Sequence, residues 1–122
     1  MIRKIGFAAA LAVVSAGAQA HHSGAMFDST QTVTLAGTVR EFQFTNPHCY
    51  IQLVVKNAQG QDEEWSLEMA APMHLLRLGW HKSSLKPGER INVKIHPLRD
   101  GSKGGQVEQA STADGKPIGS PA

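Results

Sequence analysis

The chain has 122 residues, a formal net charge of +2, 41% hydrophobic residues and a single cysteine. That length fits one domain, and one cysteine excludes an internal disulfide framework. The near-zero charge excludes the strongly basic surface that grips phosphate backbones.

The first element is a leader. Met1-Ile2-Arg3-Lys4 precedes an apolar run over 5–16 and the sequence Gly17-Ala18-Gln19-Ala20. A basic start, a short apolar stretch and an Ala-x-Ala site describe a secretory signal peptide. The run is too short for a bilayer span, which takes about 20 residues. Cleavage after Ala20 is expected to deliver residues 21–122 to the periplasm or the outside. Losing Arg3 and Lys4 from the 12 cations then balances them against the 10 acids, so neither nucleic acid nor a membrane is an expected partner.

Strand patterning follows. Val33, Leu35 and Val39 share one parity, which then flips to Phe42 and Phe44. A period-2 pattern that changes face predicts a bulged or sharply coiled strand, with Gly37 beside the bend. Asn46-Pro47 makes a turn. The second strand, over 48–56, puts Cys49, Ile51, Leu53 and Val55 on the core face, opposite His48, Tyr50 and Gln52. Asn57-Ala58-Gln59-Gly60 is a hairpin signal. The third strand, over 63–69, has Trp65, Leu67 and Met69 inward and Glu64, Ser66 and Glu68 outward.

One helix is predicted over 72–78, from Pro72 at its first turn to Gly79 at its stop, with Met73, Leu76 and Trp80 as its buried stripe. The fourth strand, over 90–96, turns Ile91, Val93 and Ile95 inward and His96 outward. Residues 100–105 read as a flexible loop and 106–112 as a weak fifth strand. The domain plan is a signal peptide over 1–20, a barrel over 21–112 and a flexible tail over 113–122. The order β-β-β-α-β-β describes an all-β fold with one short helix, a five-stranded OB-like barrel. A small sandwich is the competing fold, and it seldom places a helix at that point.

With these segments in place, the chain resembles an uncharacterised bacterial family, domain of unknown function family 6152. The stretches that carry the resemblance are His21-His22-Ser23 with Met26-Phe27-Asp28, Gly37-Thr38-Val39 with Phe42, and Asn46-Pro47-His48. Glu68-Met69, Gly79-Trp80, Leu85-Lys86-Pro87-Gly88 and His96-Pro97-Leu98-Arg99-Asp100-Gly101 complete it. The resemblance implies a short exported protein, periplasmic in a Gram-negative cell, and implies no activity. Cys49 and Gly24 look like local choices outside the family pattern.

Chemistry centres on the new N-terminus. A terminal His21 offers an α-amine and an imidazole to one ion, an arrangement suited to copper(II) and its tetragonal nitrogen preference. His22, His48 and His96 are the further metal-ligand candidates. Set against this, His48 and His96 also suit turn or strand-end positions whose rings bond a backbone carbonyl. His74 and His81 read as solvated, and Met69 and Met73 as core filler. Glu64 and Glu68 read as a solvated strand face, and Trp65 and Trp80 as packing. No nucleophile, base and partner assemble by motif, so nucleophilic catalysis is not expected; redox chemistry on a metal held by the terminal histidine is the remaining enzyme reading, and no substrate pocket is named for it. The alternative to a metal protein is a non-catalytic module that binds a small molecule or a partner protein on the face of strands two and three, through Tyr50, Gln52, Ser66 and Glu68.

Overall fold

The structure is a computed structural model that describes residues 24–121. A short 3-10 turn (Gly24–Met26) leads into β1 (Val33–Gln43), β2 (Tyr50–Lys56), β3 (Asp62–Glu68), α1 (Pro72–Arg77), β4 (Arg90–Pro97), β5 (Gly104–Thr112) and β6 (Pro117–Ile118). The strands form one sheet in the order β3-β2-β1-β4-β5-β6, and an extra β3–β5 pairing closes it. This is the expected five-stranded OB-type barrel, with β6 appended to β5.

The coiled first strand makes closure possible. Residues 33–38 of β1 pair with β4, and residues 38–43 pair with β2, with a register shift between Val39 and Glu41. The parity flip read from the sequence is therefore a bulge, one step past Val39. Gly37 has a different task from the expected bend. A β-carbon there would lie 2.5 Å from the Val54 carbonyl oxygen and 2.8 Å from Leu53 Cγ, so only glycine lets the two strands cross this closely.

The β2–β3 hairpin follows its turn chemistry. The Asn57 side-chain oxygen accepts the amides of Gln59 and Gln61, each at 2.9 Å, an Asx-type turn. This fixes the register that sets Tyr50 opposite Glu68 and Gln52 opposite Ser66. The core is filled from all five barrel strands: Ile51, Leu53, Leu67, Val93 and Ile95 are fully buried, with Val39 and Val107 nearly so. Cys49 is buried among them as its parity predicts. Burial raises its thiol pKa, against a weak contact to the Thr45 carbonyl, so it behaves as a small apolar group.

Three expectations change. First, α1 turns a different face inward: Leu75 is 1% exposed and Trp80 2%, whereas Met73 is 66% exposed and Leu76 46%. A helix of six residues, opening at Pro72, touches the barrel through barely one turn. Leu75→Ala is therefore expected to cost about 3 kcal/mol, and Met73→Lys less than about 0.5 kcal/mol. Urea midpoints check both, and equal losses would refute this helix phase. Second, Gly104 and Gly105 belong to β5 and not to a loop. They pair in parallel with Ser66 and Leu67, at the seam that shuts the barrel. Third, the segment past 112 turns back as β6, pairing Ala110 with Ile118. Gly119 then packs on the Trp80 indole, where a β-carbon would collide with Nε1, and the Ser120 amide donates to the Leu78 carbonyl at 2.7 Å. Backbone hydrogen bonds and an aromatic contact hold what composition alone marks as a loose end.

Candidate functional site

The site grows from the end of β3. Glu68 is the last residue of that strand, and parity turns it to the outside of the barrel with Ser66 and Glu64. It is nevertheless only 8% exposed, which corrects the reading of a solvated carboxylate. The cover comes from the segment before β1, a strap that begins at Gly24. Phe27 is buried, and it shares a small pocket with Met26, Tyr50, Ser66 and Glu68. It lies outside the barrel core, so its burial, about 2 kcal/mol for a phenylalanine, serves to fasten this segment.

A carboxylate taken out of water needs partners. Glu68 has two. His48 stands just before β2, two residues from Tyr50 and on the same face, and its Nδ1–H donates to Glu68 Oε1 at 2.5 Å. Because a carboxylate only accepts, Nδ1 carries the hydrogen of this bond. Tyr50 stands directly across the ladder, close enough for the same carboxylate to act on its hydroxyl. Burial raises the Tyr50 pKa above its ordinary 10.0, and the Glu68 charge and hydrogen bond raise it further.

Tyr50 is the single tyrosine of the chain, so its phenolate absorbance reports this contact alone. Its midpoint is expected above that of free tyrosine, and Glu68→Gln is expected to return it part of the way, leaving the share due to burial. Because the folded-state pKa is the raised one, the stability it confers is complete below about pH 10 and is lost as pH climbs through the folded value. A midpoint identical to that of free tyrosine would remove this contact.

Beside the pair lies a cavity of about 380 Å³. Leu75, Leu78 and Trp80 supply apolar wall, His48, Glu68 and His74 the polar side, and Gly24 and Phe27 the strap side. His74, expected as a solvated histidine, is exposed and also contributes to this wall.

His96 is used elsewhere. Its Nδ1–H donates to the Gln31 carbonyl at 2.8 Å, the backbone-carbonyl role weighed from the sequence, and its Nε2 lies 3.9 Å from Glu108. His96 stands opposite Gln106 and Gln106 opposite Glu68. Two strand spacings, about 10 Å of backbone, therefore separate it from the His48–Glu68 pair. No group of three His, Cys, Asp or Glu side chains arranged to hold a metal occurs among the described residues. His21 and His22 lie outside the described residues.

The alternative ligand face forms one patch in register, with Ser66 exposed, Tyr50 and Gln52 half-buried and Glu68 beneath the strap. Gln52 Nε2 donates to Gln43 Oε1 at 3.0 Å. Trp65 packs against the core and Trp80 within it; the buried Trp65 indole N–H has no hydrogen-bond partner.

Residues that the sequence reading did not assign a role are Phe27, Asp28 and Arg99. Thr30 holds the Asp28 carboxyl below the usual carboxylate range through its hydroxyl and amide, with Arg99 adding to the effect. Arg99 Nη1 lies 4.0 Å from the same carboxylate. Their signal in the sequence was the pair of motif stretches in which they stand.

The fold and site define a small OB-type barrel with a buried carboxylate orienting a histidine at the rim of a cavity. The chain belongs to the family of unknown function DUF6152, whose family model matches residues 9–108. No curated protein matches it. A crystal structure of a mitochondrial single-stranded DNA binding protein from S. cerevisiae, Rim1, matches at 13% identity. That match covers 68% of this chain and 94% of the other, with a TM-score of 0.49. Among the described residues, no helix is long and apolar enough to cross a membrane.

Proposed function

We propose that the protein is an exported, non-catalytic binding protein that holds a copper ion, with His48 as a ligand and His21, freed by leader cleavage, as the chelating anchor. The observation that carries this reading is the hydrogen bond from His48 Nδ1 to the buried Glu68 carboxylate. Metal-binding histidines characteristically donate their second ring N–H to a carboxylate, which fixes ring and tautomer and raises ligand basicity. A surface histidine with no such task does not need a carboxylate withdrawn from water to hold it.

Reach supports the same reading. Gly24 lines the cavity that contains His48, and three residues of chain extend about 10 Å at most. Amine and imidazole of His21 with His48 make a three-nitrogen set suited to copper(II), and His22 supplies a spare ring. Copper supplies a strongly polarising, nitrogen-seeking centre when bound; the residues present supply its orientation.

The test is a competition titration of leader-processed protein beginning at His21. One equivalent of copper(II) is expected, with nitrogen hyperfine structure in the electron paramagnetic resonance (EPR) spectrum. Binding no tighter than that of the His21→Ala protein, or a mature chain starting elsewhere, overturns the reading.

A second reading draws on the cavity. About 380 Å³ with apolar walls is more than an ion needs and falls in the range of small-molecule pockets. Native mass spectrometry of purified protein in chelator separates the two: a retained organic mass favours the small molecule. Nucleic acid has no part in either reading, because the mature charge balances.

A further inference from the structure

A second carboxylate enters the cavity beside His48. Ile95 pairs with Val107 and Lys94 with Gln109, so Glu108 is the extra residue of a bulge in β5. A bulge bends its strand and re-aims the side chain it carries. Here Glu108 joins Gln106, Gln109 and Glu68 on the cavity wall. Gln106 pairs with Glu68 across the seam. Two residues of strand and one strand spacing therefore set the two glutamates roughly 8 Å apart at the backbone.

The two acids are held differently. Glu68 is buried and bonded by His48. Glu108 has loose partners: the Thr32 hydroxyl donates to its Oε2 at 3.3 Å, and His96 Nε2 lies 3.9 Å from the same oxygen. Its side chain is 40% exposed, and among the described residues no lysine or arginine forms an ion pair with it. Nor does any lysine or arginine line the cavity. Arg40, Lys56 and Arg90 line a separate groove instead. A cleft whose carboxylates face no fixed cation, set between low-dielectric walls, focuses a field that draws positive charge. The same walls favour a hydrocarbon body over a hydrated ion.

We propose that the cavity binds a small organic ammonium: Glu108 accepts from the ammonium, the charge of Glu68 adds to the field, and the apolar body lies against Leu75, Leu78 and Trp80. This rests on the small-molecule reading of the cavity and is independent of copper. A protonated primary amine carries three donors and no acceptor, which matches a wall of carboxylate and side-chain amide oxygens.

The experiment titrates leader-processed protein, in chelator at about pH 8, with three probes of one shape: phenylethylamine, phenylethanol and phenylacetate. The amine and the carboxylate are both charged at that pH. Amide shifts in NMR spectra measure the binding and locate it. The amine is expected to bind about tenfold more tightly than the alcohol, in line with a hydrogen bond between charged groups, and phenylacetate more weakly than either. The shifted amides are expected in residues 74–80 and 106–109, and not at Arg40, Lys56 or Arg90. Glu108→Gln, an isosteric change at a half-exposed position, is expected to erase the preference for the amine and leave the alcohol unchanged. Gln109→Lys, which adds a cation to the wall without touching Glu108, is expected to weaken the amine and strengthen phenylacetate. Alcohol binding as tight as amine binding overturns the choice of a cation while the small-molecule reading stands. Equal losses of amine and alcohol in Glu108→Gln, or shifts outside the two named segments, overturn the site. If none of the three probes binds, the small-molecule reading falls and this proposal falls with it.

Discussion

His48→Ala is expected to weaken copper(II) binding by more than about a hundredfold, and Glu68→Gln by about 10- to 100-fold, the range typical for loss of a partner behind a metal ligand. The two differ for a physical reason. Alanine at 48 removes the ring itself. Glutamine at 68 keeps an acceptor oxygen for His48 Nδ1 but removes the charge that makes the imidazole a stronger base. Because Glu68 is buried, its charge is poorly screened, so the effect should survive raised salt. His81→Ala, away from the cavity wall, provides the control and should leave affinity within twofold. Competition titration with a chelator of known strength reads all three. Equal affinity in His48→Ala and the unaltered protein would sever the link between this pair and any metal.

Gly37→Ala is expected to be the most damaging single-methyl change in the chain, at about 2–4 kcal/mol. The added carbon meets the Val54 backbone oxygen at 2.5 Å and the Leu53 side chain at 2.8 Å. A side chain can rotate away; a strand carbonyl cannot, because the neighbouring pairs Thr38–Val54 and Val39–Leu53 hold β2 against β1. At about 4–8 °C per kcal/mol for a domain of this size, thermal unfolding should fall by roughly 10–30 °C. A loss of under 1 kcal/mol would mean that the crossing relaxes easily. Gly119→Ala is an instructive contrast. Its β-carbon would enter the Trp80 ring and its φ is +64°, yet β6 can peel away from β5, so the loss is capped at what that short strand contributes.

The strands were legible because alternation is local. Cys49, Ile51 and Leu53 declare an inward face without knowledge of the rest of the chain, and the shift from Val39 to Phe42 marks the bulge. The helix phase was not legible: six residues span less than two turns, too few to choose Leu75 over Met73 and Leu76 by period. Gly104 and Gly105 read as loop because glycine pairs signal flexibility. Their small size instead lets β5 close against β3 and His96, where a β-carbon on Gly105 would lie 2.7 Å from the His96 carbonyl oxygen.

At the site, His48 stood out by residue type. Its partner was within reach of the sequence as well: the hairpin turn fixes the register, which puts Tyr50 opposite Glu68 and His48 on the same face. The burial of Glu68 was out of reach. It depends on Phe27, some forty positions earlier, folding over the outside of a barrel whose closure no local pattern specifies.

The β3–β5 seam has a consequence for biogenesis. The barrel shuts only when residues 104–106 arrive beside 66–68, so its defining contact waits for nearly the whole polypeptide. Pairings this distant in sequence form slowly. Under the proposed export, that delay is protective: the emerging portion would lack the strand that locks it, stay pliable during passage, and complete its architecture on the far side.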